Sequence, residues 1–215
     1  MPFQGWPEEA LDFFEGIERD NCKDYWAAHK AIYSEAVLGP MVELTEDLSP
    51  EFGPVKIFRP YRDVRFSPDK SPYRTEIGAT VGSAYIRLSA AGLAAGNGLY
   101  HLEPDQLTRY RDAVAGDASG AQLGSVVAAL SGQGLTLIAH DVLKSAPRGY
   151  PADHPRIHLL RRKGLAAYRE WPVEPWLSTP AAMDHVREFL VSTKPLTDWL
   201  DGHVGPSQLP PGRRR

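Results

Sequence analysis

Cysteine is almost missing from this chain, and no long apolar run occurs in it. A single cysteine, Cys22, among 215 residues excludes an internal disulfide framework and any zinc site built on thiolates. Mean hydropathy is -0.35, and no stretch approaches the roughly 20 apolar residues that a membrane-crossing helix needs. The opening segment Met1–Glu9 lacks the basic and apolar regions of a secretory signal, so a reducing cytoplasm is the expected location and no membrane is an expected partner. Neither charge dominates: 24 basic residues face 27 acidic ones, a net charge of -3, which argues against a general nucleic-acid binder. Catalytic fingerprints are missing as well. There is no Gly-x-Ser-x-Gly elbow and no Walker loop, and Gly96-Asn97-Gly98 lacks the third glycine of a dinucleotide fingerprint, so no motif implies a cofactor.

What is present is an uneven distribution of charge. Met1 to Val55 carries 12 acids and three bases, whereas Lys56 to Arg74 carries six bases and two acids. An acidic first quarter thus precedes a locally basic segment of net +4. The first quarter has helical period. Pro7 suits an early helical position, Glu8, Glu9 and Asp12 favour the positive end of the helix dipole, and Leu11, Phe14 and Ile17 form a stripe. Asn21 is a natural cap for a second helix. Gly39-Pro40 is expected to kink or break that helix, and Ser49-Pro50 to end the next one.

The period then changes. Residues 56–66, 76–89 and 92–102 read as strands, with Ile77, Ala79 and Val81 on one face and Ala84, Ile86 and Leu88 on another. Gly96-Asn97-Gly98 reads as a hairpin turn. A helix is expected from Pro104, another over 121–130, a short strand over 135–139, one or two helical turns over 155–162, a strand over 165–169 and a closing helix over 180–203 bent at Lys194-Pro195. Together these predict an α+β fold, one domain over residues 1–205 with a mainly antiparallel sheet packed with N- and C-terminal helices. Residues 206–215, ending Arg213-Arg214-Arg215, are expected to be a disordered basic tail.

Chemistry concentrates between Phe58 and Thr75. If this segment is extended, Arg59, Tyr61, Asp63 and Arg65 share one face and Phe58, Arg62, Val64 and Phe66 the other, although Pro60 cannot donate to a ladder. Ser67-Pro68-Asp69-Lys70-Ser71-Pro72 is turn chemistry that would hold Lys70, Tyr73 and Arg74 near the strand end. Forked guanidiniums beside a phenol seat a phosphate or carboxylate well, which makes Arg59, Arg62, Arg65, Lys70, Tyr73 and Arg74 the candidate ligand-binding residues and a small anionic molecule the expected partner. The competing reading pairs the same bases with Asp63, Asp69 and acids of the N-terminal helices, as a salt-bridge network that pins helices to sheet in a non-catalytic scaffold or partner-binding protein.

The run Arg59-x-x-Arg62-Asp63-x-Arg65-Phe66-x-x-Asp69-Lys70-x-x-Tyr73 resembles the signature of a bacterial and fungal family known as domain of unknown function 2461. Further similarities are Gly98-Leu-Tyr-His-Leu-Glu-Pro104, the stretch from Pro147 to Pro155, and Lys194-Pro-Leu-Thr-Asp-Trp-Leu200. The resemblance spans Trp6 to His203, and Pro60 stands where relatives often carry an aliphatic residue. It implies a shared fold and no established reaction.

Other constellations carry less. His154 and His158 have the i, i+4 spacing of helical metal ligands, yet no third ligand accompanies them; Asp153 as a cap and Pro155 in the first turn account for the same residues, and no metal site is assigned. His101 and Glu103 would share a strand face as an acid–base pair, or Glu103 would simply start the helix at Pro104. Should the protein be an enzyme, His101, Asp63 and Tyr73 are the candidates for proton transfer. A weak nucleic-acid interface using the basic segment with Arg161–Lys163 and the tail is the third alternative.

Overall fold

Apolar residues at helical spacing open the chain, and helices form there. In the computed structural model, which describes residues 2–210, α1 (Glu8–Arg19) starts after Pro7 and buries Ala10, Phe13, Phe14 and Ile17. The buried stripe is therefore turned slightly from the expected one: Phe13 is inside, whereas Leu11 is only half-buried. α2 (Lys23–Ile32) is capped by Cys22, whose Sγ accepts from the Tyr25 N–H at 3.3 Å, and not by Asn21. Tyr25 leans back on α1, donating to Phe13 O at 3.2 Å across Gly16, where a Cβ would sit 1.9 Å from the phenol oxygen.

The expected break at Gly39-Pro40 takes the form of a change in helical register. Residues Tyr33–Leu38 wind as a π-helix that leads directly into α3 (Gly39–Phe52), and the Gly39 N–H reaches Ser34 O. Pro40 has no N–H to give, and in the first turn of α3 none is required of it. Pro50 is likewise accommodated inside the last turn of α3, and the helix ends at Gly53, whose φ of 113° suits glycine.

A six-stranded antiparallel sheet has the order β1-β2-β3-β4-β6-β5, and the fold is α+β. β1 (Val55–Ile57) pairs with β2 (Glu76–Val81), which pairs with β3 (Ala84–Ser89). The register sets Ile77 against Leu88, Ala79 against Ile86 and Val81 against Ala84, all at or below 2% exposure, so the alternation read from the sequence is the buried face. β4 (Gly92–Leu99) corrects one expectation: Gly96-Asn97-Gly98 is not a hairpin turn but strand. Its glycine serves close approach, since a Cβ on Gly98 would lie 2.6 Å from Leu165 O of β6 (Leu165–Trp171), and the buried Asn97 amide donates to Thr193 Oγ1 at 2.9 Å.

The chain divides into two compact units, Met1–Ala95 with Glu170–Phe189, and Gly96–Arg169 with Leu190–Arg215. In the second unit α4 (Pro104–Ala115) buries Tyr110, whose phenol donates to Leu159 O at 3.0 Å, and the Arg156 guanidinium caps the end of α4 by donating to the carbonyls of Val114, Ala115 and Gly116 at 2.7–3.0 Å. α5 (Asp117–Gly132), β5 (Thr136–Ile138), α6 (Ile157–Leu160) and α7 (Ala181–His203) lie where the periodicity predicts them. Beyond α7, Asp105 accepts from Ser207 Oγ at 2.9 Å and Gln208 N at 2.7 Å, so hydrogen bonds engage the segment that follows the last helix. Residues 211–215, the arginine-rich end of the expected tail, lie outside the described residues. Among the described residues no helix is long and apolar enough to cross a membrane.

Candidate functional site

The segment expected to be a strand over 56–66 is strand only to Ile57. From Phe58 to Thr75 the chain is a loop that leaves β1 and returns as β2, because Pro60, Pro68 and Pro72 cannot supply ladder hydrogen bonds. The alternating faces predicted for Arg59 to Phe66 consequently do not form. The base of the loop is closed by one antiparallel bridge, Tyr61 to Tyr73, flanked by Arg62 N–H to Pro72 O at 2.9 Å and Arg74 N–H to Pro60 O at 2.7 Å.

Aromatic packing and one amide hold this base to the helices. Tyr73 stacks on Trp26 of α2 with ring centroids 4.4 Å apart and planes 8° from parallel. Tyr61 packs at 5.6 Å from Tyr73, and Tyr33 at 4.8 Å from Trp26. Asn21 supplies the polar tie: its Nδ2 donates to Tyr73 O and its Oδ1 accepts from Tyr73 N–H, both at 3.0 Å. Burial, and then the neighbouring Tyr61, raises the Tyr73 phenol above its ordinary pKa. It stays protonated at neutral pH and available as a donor.

Carboxylates shape the rest of the loop. Asp69 Oδ1 accepts from the Ser71 hydroxyl at 2.6 Å and the Ser71 N–H at 2.9 Å, while its Oδ2 takes the Arg62 guanidinium. The Ser71 bonds, followed by Arg62, hold the Asp69 carboxyl far below the usual carboxylate range. Asp63 grips Arg65 through two parallel contacts, Nε to Oδ1 at 2.9 Å and Nη2 to Oδ2 at 2.6 Å, and these hydrogen bonds lower its pKa. A carboxyl so lowered is a poor proton donor, which weakens Asp63 as a general acid. Lys70 Nζ donates to Val64 O at 3.0 Å and Arg62 also reaches Ser71 O at 3.3 Å.

Between this loop and the end of α1 lies an open cleft of about 680 Å³. α1 and the turn after it contribute Ile17, Glu18 and Asn21; the loop contributes Arg62, Asp63, Asp69 and Ser71, then Tyr73 to Thr75, and β2 contributes Glu76. Of the predicted ligand-binding residues, Arg62, Tyr73 and Arg74 thus share the cleft wall, as does Asp63, whereas Arg59, Arg65 and Lys70 do not line it. Glu76 at its edge is engaged: it accepts from the Tyr85 phenol at 3.2 Å and from Arg87 at 3.2 Å. Arg74 is not. Its side chain is exposed and makes no hydrogen bond or ion pair with another described residue.

His101 belongs to the second unit, where its exposed ring meets that of His140 edge-on at 5.1 Å. Glu103 starts α4, with the Gln106 amide oxygen accepting from its N–H at 3.1 Å, the helix-start role of the two read from sequence. His154 Nδ1 accepts from the Arg156 N–H at 3.0 Å. Sequence reading missed Glu18, Asn21 and Trp26 as parts of the site. Each sits in an ordinary helical pattern, and nothing local signals that residue 21 meets residue 73.

Fold and site together describe an α+β protein whose sheet carries a proline-pinned arginine–carboxylate loop beside an open polar cleft. Residues 9–199 match the model of the family described as conserved hypothetical protein (DUF2461), and the chain belongs to that family. No curated protein and no solved structure matches it.

Proposed function

We propose that this protein binds a small anionic ligand, a phosphate- or carboxylate-bearing molecule, in the cleft of its first unit. The observation that carries the reading is Arg74: a guanidinium on the cleft wall with no carboxylate of its own. A planar fork of donors without an internal partner is the group that recognises such oxyanions best. Arg62 stands on the same wall with donors beyond those given to Asp69 and Ser71, and the protonated Tyr73 phenol adds a neutral donor. Arg65 and Lys70 serve the loop itself. Arg65 with Asp63, and Asp69 with Ser71 and Arg62, favour the scaffold reading for those residues, and their exposure makes each pair a weak, shape-setting contact. Nucleic acid is not the proposed partner, because four carboxylates share the cleft with two arginines. A reducing cytoplasm suits the free Cys22 thiol.

Calorimetric titration with inorganic phosphate and with ethyl phosphate tests the reading. The wild-type protein is expected to bind both, and Arg74→Gln to bind them about tenfold more weakly or worse, with an unchanged unfolding temperature. Absence of binding to the wild-type protein, or equal binding by the variant, overturns it.

A further inference from the structure

The cleft is not simply basic. Of its charged lining residues, Arg62 and Arg74 are cations and Glu18, Asp63, Asp69 and Glu76 are anions. Three of the four carboxylates already have a cation: Asp63 has Arg65, Asp69 has Arg62, and Glu76 has Arg87. Glu18 has none. It is exposed near the end of α1, and, like Arg74, makes no side-chain hydrogen bond or ion pair with another described residue. Nor do the two engage each other, although they border the same hollow. One unpaired anion and one unpaired cation therefore face a common space large enough for a small metabolite.

Resting on the anion-binding reading above, we propose that the ligand of this cleft is a zwitterion, a small molecule with an ammonium group a few bonds from its phosphate or carboxylate. The anionic end lies on Arg74 and Arg62, and the ammonium on Glu18. The charge balance argues for this directly. A bare anion on Arg74 leaves the Glu18 carboxylate unmatched in the same hollow, whereas an ammonium on the same molecule gives Glu18 the partner it lacks. A simple cation would find Glu18 but leave Arg74 unmatched.

Ethyl phosphate and phosphoethanolamine differ in little more than the ammonium group, and calorimetric titration of the full-length protein with each separates the two readings. Phosphoethanolamine is expected to bind about threefold to fivefold more tightly, the range of an exposed ion pair. Glu18→Gln is expected to bring the two affinities together, whereas Arg74→Gln weakens both. Equal binding of the two compounds to the wild-type protein, or a preference that survives Glu18→Gln, overturns the zwitterion and leaves the anion site standing. Failure of ethyl phosphate, inorganic phosphate and phosphoethanolamine alike overturns both.

Discussion

Asn21 and Tyr73, 52 residues apart, are joined as if they were neighbouring strand residues: the Asn21 side-chain amide pairs with both the N–H and the C=O of Tyr73 at 3.0 Å. That single side chain supplies the backbone of the loop's return with the partners a ladder would otherwise give, and fixes the loop against the junction of α1 and α2.

Replacing Asn21 tests this tie. Asn21→Ala leaves a part-buried donor and acceptor of the main chain unpaired, and is expected to cost about 2 kcal/mol in urea unfolding. Asn21→Asp keeps the acceptor but turns a second oxygen towards Tyr73 O, so it is expected to cost at least as much. Variants within about 0.5 kcal/mol of wild type would show that the amide pair does not hold the loop.

Acid titration of the loop should be late. The Asp69 carboxyl is lowered first by Ser71 and then by Arg62. Because its folded pKa lies below the unfolded one, its contribution to loop order is present above the ordinary carboxylate range near about pH 4 and lost as pH falls through the lower folded value. The Ser71 amide resonance is expected to stay unperturbed through pH 4 and to titrate only in stronger acid. Ser71→Ala should move the Asp69 transition upward, and an Asp69 that titrates in the ordinary range in the wild-type protein contradicts the assignment.

Alkaline behaviour follows from two other phenols. Burial pushes Tyr33 up to about 12, and burial together with the Glu76 carboxylate pushes Tyr85 up to about 12. A folded pKa above the unfolded value of about 10 means that each contributes stability that is complete below pH 10 and lost as pH rises through the folded pKa. Phenolate absorbance should therefore show a late-ionising group that Tyr33→Phe removes, and a second that Tyr85→Phe removes. Ionisation of all nine tyrosines near pH 10 in the folded protein would refute both environments.

Much of the architecture is legible in one dimension because it depends on local period. Ile77, Ala79 and Val81 alternate in the sequence and are buried together opposite Leu88, Ile86 and Ala84, and Pro104 begins a helix where its missing N–H costs nothing. The Arg–Asp motif reads as a strand over 56–66, but a basic run punctuated by three prolines has few ways to be regular, and it is loop beyond Ile57. Short signals misled where a distant neighbour decided their use. Gly98 reads as a turn but gives room to Leu165 O, and Asn21 reads as a helix cap but meets Tyr73.

Hydropathy, proline placement and the separation of acidic from basic stretches were thus enough to define an α+β chain with helices at both ends and a basic segment between the first helices and the sheet. Which of the five bases in that loop line a cleft, that Arg62 and Arg65 are matched with Asp69 and Asp63, and that Glu18 and Arg74 border the cleft unpaired, came only from the folded chain. The reason is physical: periodicity records how a residue sits on its own element, whereas ion pairing and accessibility depend on contacts across tens of residues, to which local pattern is blind.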